Sequence, residues 1–311
     1  MKCKKDLIVV CGPTASGKTS LGVQIALRLN GEIISADSRQ VYRGMDIGTG
    51  KDLKEYVTSE GKVPFHLIDV SDPAQIYTLF HYKNDFFKAF DQIVSRKKMP
   101  VVVGGTGLYI EAVLKDYAIP AIPENAQLRA DLSKQQKSDL EKKLFELDRH
   151  LYQKTDLSSK KRVIRAIEVA MSDQCREIEP YQSRKIDPLV LCTRWQRTKL
   201  RERIDARLET RFKEGMIEEV RKLLHSEIPR ERFALFGMEY KHVARFIDNE
   251  INYESMVEQL RQSIHQLAKR QETWFRGMEK RGIEVNWVED ANLEIAMGVV
   301  ESVLGKGQSN H

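Results

Sequence analysis

Gly12-Pro13-Thr14-Ala15-Ser16-Gly17-Lys18-Thr19 fits the pattern G-x-x-x-x-G-K-[ST]. A loop of this kind turns unpaired backbone N–H groups and a helix dipole toward one spot, and so cradles a phosphate chain. Lys18 adds a mobile positive charge, and the Thr19 hydroxyl suits a Mg²⁺ ligand. The pattern says that a phosphate chain binds, not which one or what becomes of it. Asp37 follows an apolar run and precedes Ser38-Arg39-Gln40. It is a candidate general base or indirect Mg²⁺ ligand, and a helix N-cap fits the same position. In Gly104-Gly105-Thr106-Gly107-Leu108-Tyr109 the glycines permit close backbone approach to a ligand. Thr106 there either hydrogen-bonds substrate or caps a helix. Two basic segments, Lys160-Lys161-Arg162-Val163-Ile164-Arg165 and the stretch from Gln266 to Arg276, mix Lys and Arg with amides and apolar residues. That composition fits a phosphate-contacting surface, and equally a solvated helix face.

The elements that must carry these residues read as an α/β chain. Strands are expected over 7–11, 32–37, 65–70 and 100–106, alternating with helices after the loop and over 78–97. This alternation predicts a P-loop NTPase-like parallel sheet flanked by helices. Ligands of such sheets bind outside the carboxyl ends of the strands. The phosphate loop, Asp37 and Thr106 should therefore meet at one edge. Composition shifts after Asp116 to a polar, lysine-rich helical stretch. We expect a core of 1–116 and 184–304, and a small helical insertion over 117–183 that includes a helix starting at Pro123-Glu124-Asn125. The core should resume with a strand over 188–193, long helices over 198–225 and 253–281, and a strand over 283–288. A disordered tail over 305–311 is expected.

Of 311 residues, 41% are hydrophobic and 31% charged, which suits a soluble globular protein with a substantial core. No apolar stretch approaches a membrane span, and no signal-peptide apolar region precedes the first strand, so a cytoplasmic location without a membrane partner is expected. A monomer is expected. Cys3, Cys11, Cys175 and Cys192 make no C-x-x-C pair or zinc spacing, which argues against a disulfide framework or structural metal. The net charge of +6 permits a nucleic-acid partner without proving one. No apolar strand ends in Asp-Glu, and there is no Asn-Lys-x-Asp guanine reader, so ordinary NTPase and GTPase readings lose weight.

Taken together, the landmarks resemble the tRNA dimethylallyltransferases (tRNA isopentenyltransferases). They run from the phosphate loop through Ile34 to Tyr42, Gly44-Met45-Asp46-Ile47-Gly48-Thr49-Gly50-Lys51, His66-Leu67-Ile68-Asp69 and Val103 to Tyr109. Arg165 to Val169 and Gln266 to Arg276 complete the set. The resemblance covers about residues 7–290, and its Asp-Ser-Arg-Gln-x-Tyr and Gly-Met-Asp-Ile-Gly-Thr segments are the specific part. It implies transfer of a dimethylallyl group from its diphosphate to N6 of the adenosine 3′ of the anticodon. The loop Gly12 to Thr19 would then hold the diphosphate leaving group with Mg²⁺ rather than ATP. Lys18 and Thr19 would stabilise charge as the allylic C–O bond breaks. Asp37 would take the proton of the attacking amine, and Thr106 would help place the substrate. Ser38, Arg39 and Gln40 would contact the extruded nucleotide. By position, Arg129, the Lys161-to-Arg165 segment, and Gln266, Lys269 and Arg270 would grip the tRNA anticodon stem-loop.

The chain departs from the family pattern in two places. Many members carry an Arg shortly before a Gly-Tyr-Lys or Gly-Tyr-Arg segment, where it serves diphosphate binding or catalysis. Here Ala234 or Phe236 falls at that place and Glu239 precedes Tyr240. Either Arg230 or Arg232 substitutes, or the site manages without it. His265 also stands where many members have Arg. Three other readings remain: a free-nucleotide prenyltransferase, an ATP-dependent small-molecule kinase, and a non-catalytic tRNA binder.

Overall fold

The computed structural model describes residues 5–122, 124–172 and 184–305. In chain order the elements begin with β1 (Leu7–Cys11), α1 (Lys18–Arg28), β2 (Gly31–Ser35), β3 (Val57–Thr58), β4 (Gly61–Lys62), β5 (Phe65–His66), α2 (Leu79–Ser95), β6 (Met99–Gly104) and α3 (Gly107–Leu114). Four helices follow: α4 (Ala126–Ser133), α5 (Lys137–Leu147), α6 (Arg149–Lys154) and α7 (Lys160–Ala170). The chain continues as β7 (Pro188–Arg194), α8 (Arg197–Lys213), α9 (Met216–Leu224), α10 (Met238–Ile247), α11 (Tyr253–Lys280), β8 (Asn286–Glu289) and α12 (Leu293–Leu304). It divides into two compact units, one of residues 1–117 with 183–311 and one of 118–182. Of the helix start expected at Pro123-Glu124-Asn125, Asn125 caps α4, which begins at Ala126; Pro123 itself, the tail from 306 on, Cys3 and Cys175 fall outside the described residues.

In the larger unit six strands form one sheet in the order β5-β2-β6-β1-β7-β8, every pair parallel. β1 is buried at all five residues, which is why it reads as an unbroken apolar run and not as an alternation. Ile8 and Val10 face a core that includes Leu21, Ile25, Ala296 and Val300 from α1 and α12. Leu7 and Val9 alternate to the other face and are also buried. The register sets Cys11 opposite both Gly104 and Cys192, so β1 and β6 end level and β7 runs two residues further, to Arg194. A second cluster, built on Ile204, Leu208, Met216, Tyr240, Leu260 and Ile264, packs α8 to α11 together.

Several elements differ from expectation for local reasons. The strand expected over 65–70 keeps only Phe65–His66, because Leu67 and Asp69 take left-handed backbone angles that turn the chain out of the sheet. β2 stops at Ser35, two residues before Asp37. The single helix expected over 198–225 is two, separated by Gly215 at φ 100°, a conformation that suits glycine. β8 starts at Asn286 rather than 283. Helices α10 and α12 have no counterpart among the expected elements.

The smaller unit packs α4, α5 and α7 around Leu132, Leu140, Leu144, Val163 and Ile167. Its buried Glu168 accepts from Arg129 Nε (3.1 Å) and Nη2 (2.7 Å), the Asn125 backbone N–H (2.6 Å), and Arg165. Burial alone would raise the Glu168 carboxyl, but the hydrogen bonds from Arg129 and Arg165 outweigh it and hold it below the ordinary value.

Candidate active site

The loop leaves β1 at Cys11, and α1 starts at Lys18 behind Gly17 in a left-handed conformation. The first N–H groups of such a helix have no intrahelical acceptor. Neighbouring elements fix the loop through its other groups. Trp195 Nε1 donates to Ser16 O (2.9 Å) and Arg203 Nε to Ala15 O (2.9 Å). The Ser16 and Thr193 hydroxyls meet at 2.6 Å. Gln271 of α11 accepts the Thr14 N–H through Oε1 (2.8 Å) and donates through Nε2 to Gly105 O (2.9 Å). That one amide thus ties the β1 loop to the β6 loop.

A cleft of about 460 Å³ opens over the loop, lined by Ala15, Ser16, Gly17, Lys18 and Thr19 with Arg203, Arg207 and Arg211 of α8. A narrower recess shares Lys18, Thr19, Arg207 and Arg211 with it, and adds Thr14, Asp37, Arg39, Gln40 and Gln271. Of the phosphate loop, Asp37 and Thr106, expected to meet at one sheet edge, Lys18, Thr19 and Asp37 line this recess together and Thr106 does not. Gly12 and Pro13 line neither space; Pro13 O accepts from Lys18 Nζ at 3.2 Å.

No helix begins at Asp37; the chain turns, and Asp37 Oδ1 accepts the Arg39 backbone N–H at 2.9 Å. Thr106 stands at the N-terminus of α3, but its hydroxyl does not cap that helix. It accepts the Ser38 backbone N–H at 3.0 Å and lies 3.3 Å from the Ser38 hydroxyl. Ser38 and Thr106 thus stand beside the recess rather than in its lining. Gln40 bridges Ser35 Oγ (3.2 Å) and Gly50 O (2.9 Å).

The Gly44-to-Lys51 segment is a clamped loop. Glu219 of α9 accepts the N–H groups of Asp46 (2.8 Å), Ile47 (2.7 Å) and Gly48 (3.0 Å), and the Tyr240 hydroxyl (2.7 Å). Buried Lys51 donates to Tyr42 O (2.7 Å), Asp46 Oδ1 (2.6 Å) and Asp69. The clamp sets Thr49 and Gly50 into the wall of the recess.

The site is strongly positive. Burial, reinforced by Arg207, lowers the Lys18 ammonium to about 8, against an opposing pull from Asp37. Burial opposes the charge on Arg39, but Glu239 and Asp37 overcome it and raise its value. Among the described residues no three His, Cys, Asp or Glu side chains group to hold a metal. The Thr19 hydroxyl, with Asp37 lining the same recess, is the donor set that would hold Mg²⁺.

Sequence reasoning missed Arg203, Arg207, Arg211 and Glu219, and it noted Glu239 and the run containing Gln271 without giving either residue a place in the site. The three arginines recur every fourth residue on α8, which sets them on one face; that spacing was the available signal. Arg230 and Arg232 do not substitute at the cleft. Arg230 pairs with Asp248 and donates to Ala244 O (3.1 Å), and Arg232 donates to Gln75 O (2.5 Å). Phe236 is a core residue, edge-on to Tyr42 at 5.4 Å. His265 pairs with Asp205 at 2.9 Å.

The proposed tRNA contacts sort by exposure. In the larger unit Gln266, Lys269 and Arg270 are exposed on α11. In the smaller unit Lys161 is exposed, as is Arg162, which pairs with Asp156. Val163 and Ile164 are corrected: both are buried in that unit's core, so their side chains hold the helix and face no ligand. Arg129 and Arg165 are committed to Glu168.

Comparison with known proteins decides the family. The sequence matches the IPP transferase family over residues 40–278 and the isopentenyl transferase family over residues 5–71. It is 47% identical over 289 residues to tRNA dimethylallyltransferase 1 of Geotalea uraniireducens, covering 93% of each chain. The chain belongs to the tRNA dimethylallyltransferase family. Another dimethylallyltransferase relative, tRNA dimethylallyltransferase 2 of Shewanella sediminis, is 48% identical over 91% of this chain and 93% of that one. The crystal structure of the full-length tRNA isopentenylpyrophosphate transferase of Bacillus halodurans superposes with a TM-score of 0.67 at 32% identity, covering 96% of this chain and 95% of that one. A eukaryotic dimethylallyltransferase acting on tRNA shares the fold at a TM-score of 0.73 and 21% identity, over 94% of this chain and 75% of that one. The dimethylallyltransferase assignment thus carries a P-loop α/β fold. Among the described residues no helix is long and apolar enough to cross a membrane.

Proposed function

We propose that the protein transfers a dimethylallyl group from dimethylallyl diphosphate to N6 of the adenosine 3′-adjacent to the anticodon of tRNA. The observation that carries this reading is the shared recess of Lys18, Thr19 and Asp37, which sets an anion cradle beside a carboxylate. The loop N–H groups and Lys18 bind the diphosphate. The allylic C1–O bond breaks with its electron pair going to the diphosphate, and the N6 lone pair forms the new C1–N bond. Asp37, its Oδ1 fixed by the Arg39 N–H, takes the N6 proton. Lys18, which donates to Pro13 O without a ligand, turns to the departing oxygens and stabilises their charge together with the loop N–H groups. Mg²⁺ held at Thr19 supplies further charge neutralisation when bound.

The base must leave the anticodon-loop stack to reach Asp37. Ser38, Arg39 and Gln40 follow Asp37 directly and are the candidate contacts for the extruded nucleotide. Exposed Lys161, Arg162, Gln266, Lys269 and Arg270 are the candidate phosphate contacts. Incubation with C1-labelled dimethylallyl diphosphate, Mg²⁺ and an unmodified tRNA should move label into the tRNA. Label that stays with the diphosphate ester, or that prefers free AMP over tRNA, contradicts the proposal.

A further inference from the structure

Arg211 is a buried guanidinium with too little to pair with. It is 7% exposed, and its Nε has no hydrogen-bond partner. Its ionic partner is Glu239, 3.6 Å away through Oε1. That carboxylate, 2% exposed, already accepts a closer bond from Arg39 Nη1 at 2.7 Å through Oε2. Arg39 and Arg211 share this buried carboxylate; Arg39 also has Asp37 at 3.9 Å, whereas Arg211 has, among the described residues, only the longer contact to Glu239 among its ion pairs. The other arginines of the stripe are placed differently. Arg207 pairs with Asp52 at 2.6 Å, and Arg203 donates to Ala15 O and stacks over Trp195 at 4.3 Å. A buried charge paired only at this distance and left with an unbonded Nε is costly, and an arriving anion would relieve it. Burial and Arg207 together lower the Arg211 value to about 10, the signature of a crowded cation.

The room for this side chain is made at Gly50. A Cβ there would come within 1.7 Å of Arg211 Nη2. Arg211 lines both the loop cleft and the recess that holds Lys18 and Asp37. Neither Arg230 nor Arg232 reaches that space.

We propose that Arg211 is the guanidinium that binds the diphosphate leaving group in this chain, with Glu239 as the positioning residue that holds it beside Arg39. α8 thereby supplies the charge that the segment before Tyr240 lacks, and Glu239 in that segment orients it. The inference rests on the prenyl-transfer reading for the identity of the anion, but inorganic diphosphate tests it without tRNA.

Inorganic diphosphate, with Mg²⁺, is titrated calorimetrically into the full chain and into R211K and R211M, and each is then assayed with dimethylallyl diphosphate and tRNA. We expect R211M to bind diphosphate about 30-fold more weakly, with a matching fall in kcat/KM for the donor and unchanged tRNA affinity. R211K keeps the charge but loses the planar fork, and should fall about 5- to 10-fold. E239Q should lower donor kcat/KM while E239D restores part of it. If R211M does not fold, the lysine variant alone decides. Variants that bind diphosphate and turn over as the parent does, or that lose only thermal stability, overturn the proposal. Loss of diphosphate binding in R211M alongside a parent that never labels tRNA supports the site and rejects the acceptor assignment instead.

Discussion

Ser38 donates its backbone N–H to Thr106 Oγ1 at 3.0 Å. This bond joins the turn after β2 to the turn after β6, one residue from Asp37. The Ala36 N–H to Val103 O bond (2.8 Å) and the Thr106 N–H to Ala36 O bond (3.0 Å) support the same junction. Thr106 thereby fixes the backbone that aims the proposed base. Thr106→Val keeps the shape and removes the acceptor, and it should lower kcat by roughly 10- to 100-fold, the scale of small misplacements. Thr106→Ser should keep most of the activity. Steady-state kinetics on both variants checks this; equal rates for valine and serine would remove the hydroxyl from the account.

Asp37→Asn leaves an acceptor for the Arg39 N–H but no base. Loss of general-base action typically costs about 10²–10⁴ in rate. We expect kcat to fall within that range with tRNA affinity unchanged in filter binding. Full activity in this variant would place proton removal elsewhere.

The donor step should depend on pH through Lys18. The form that binds an anion is the ammonium, and its value is lowered from 10.5 to about 8. Below about 8 the free protein carries the charge; as pH rises through that value the charge is lost. kcat/KM for dimethylallyl diphosphate should therefore decline above pH 8, because it reports the free protein. Bound diphosphate favours the ammonium, so kcat at saturating donor should hold to higher pH. A kcat/KM profile flat to pH 10 would contradict this.

Glu219 anchors the Gly44-to-Lys51 loop through three successive N–H groups and Tyr240. Glu219→Ala strands several donors at once, each worth about 1–3 kcal/mol if left unsatisfied in a buried place. Partial exposure lets water replace some of them, so we expect a net loss of about 3 kcal/mol in urea unfolding. An unchanged unfolding midpoint would show that the loop stands without its clamp.

Much of this arrangement was legible in the chain. Leu7 to Cys11 and Pro100 to Gly104 are unbroken apolar runs, and such runs next to glycine turns mark buried parallel strands. The strand order followed from neither, because pairing of β1 with β7 joins residues some 180 positions apart and depends on tertiary packing. The phosphate loop and Asp37 were visible because each follows a strand signal. The spacing of Arg203, Arg207 and Arg211 puts them on one helix face, but the pairing of Arg211 with Glu239 joins α8 to α10, which no local pattern encodes. Val163 and Ile164 misled for the opposite reason: they sit between basic residues, yet helical spacing turns them inward while Lys161 and Arg162 stay exposed.

The most direct test of the account is the identity and position of the product nucleoside. A tRNA transcript with adenosine 3′ of the anticodon is treated with the protein, dimethylallyl diphosphate and Mg²⁺, then digested and mapped by mass spectrometry. The account predicts one N6-dimethylallyl adenosine at that position per diphosphate released, and none in a transcript carrying guanosine there. Prenylation at another base, or diphosphate release without a modified adenosine, would contradict it.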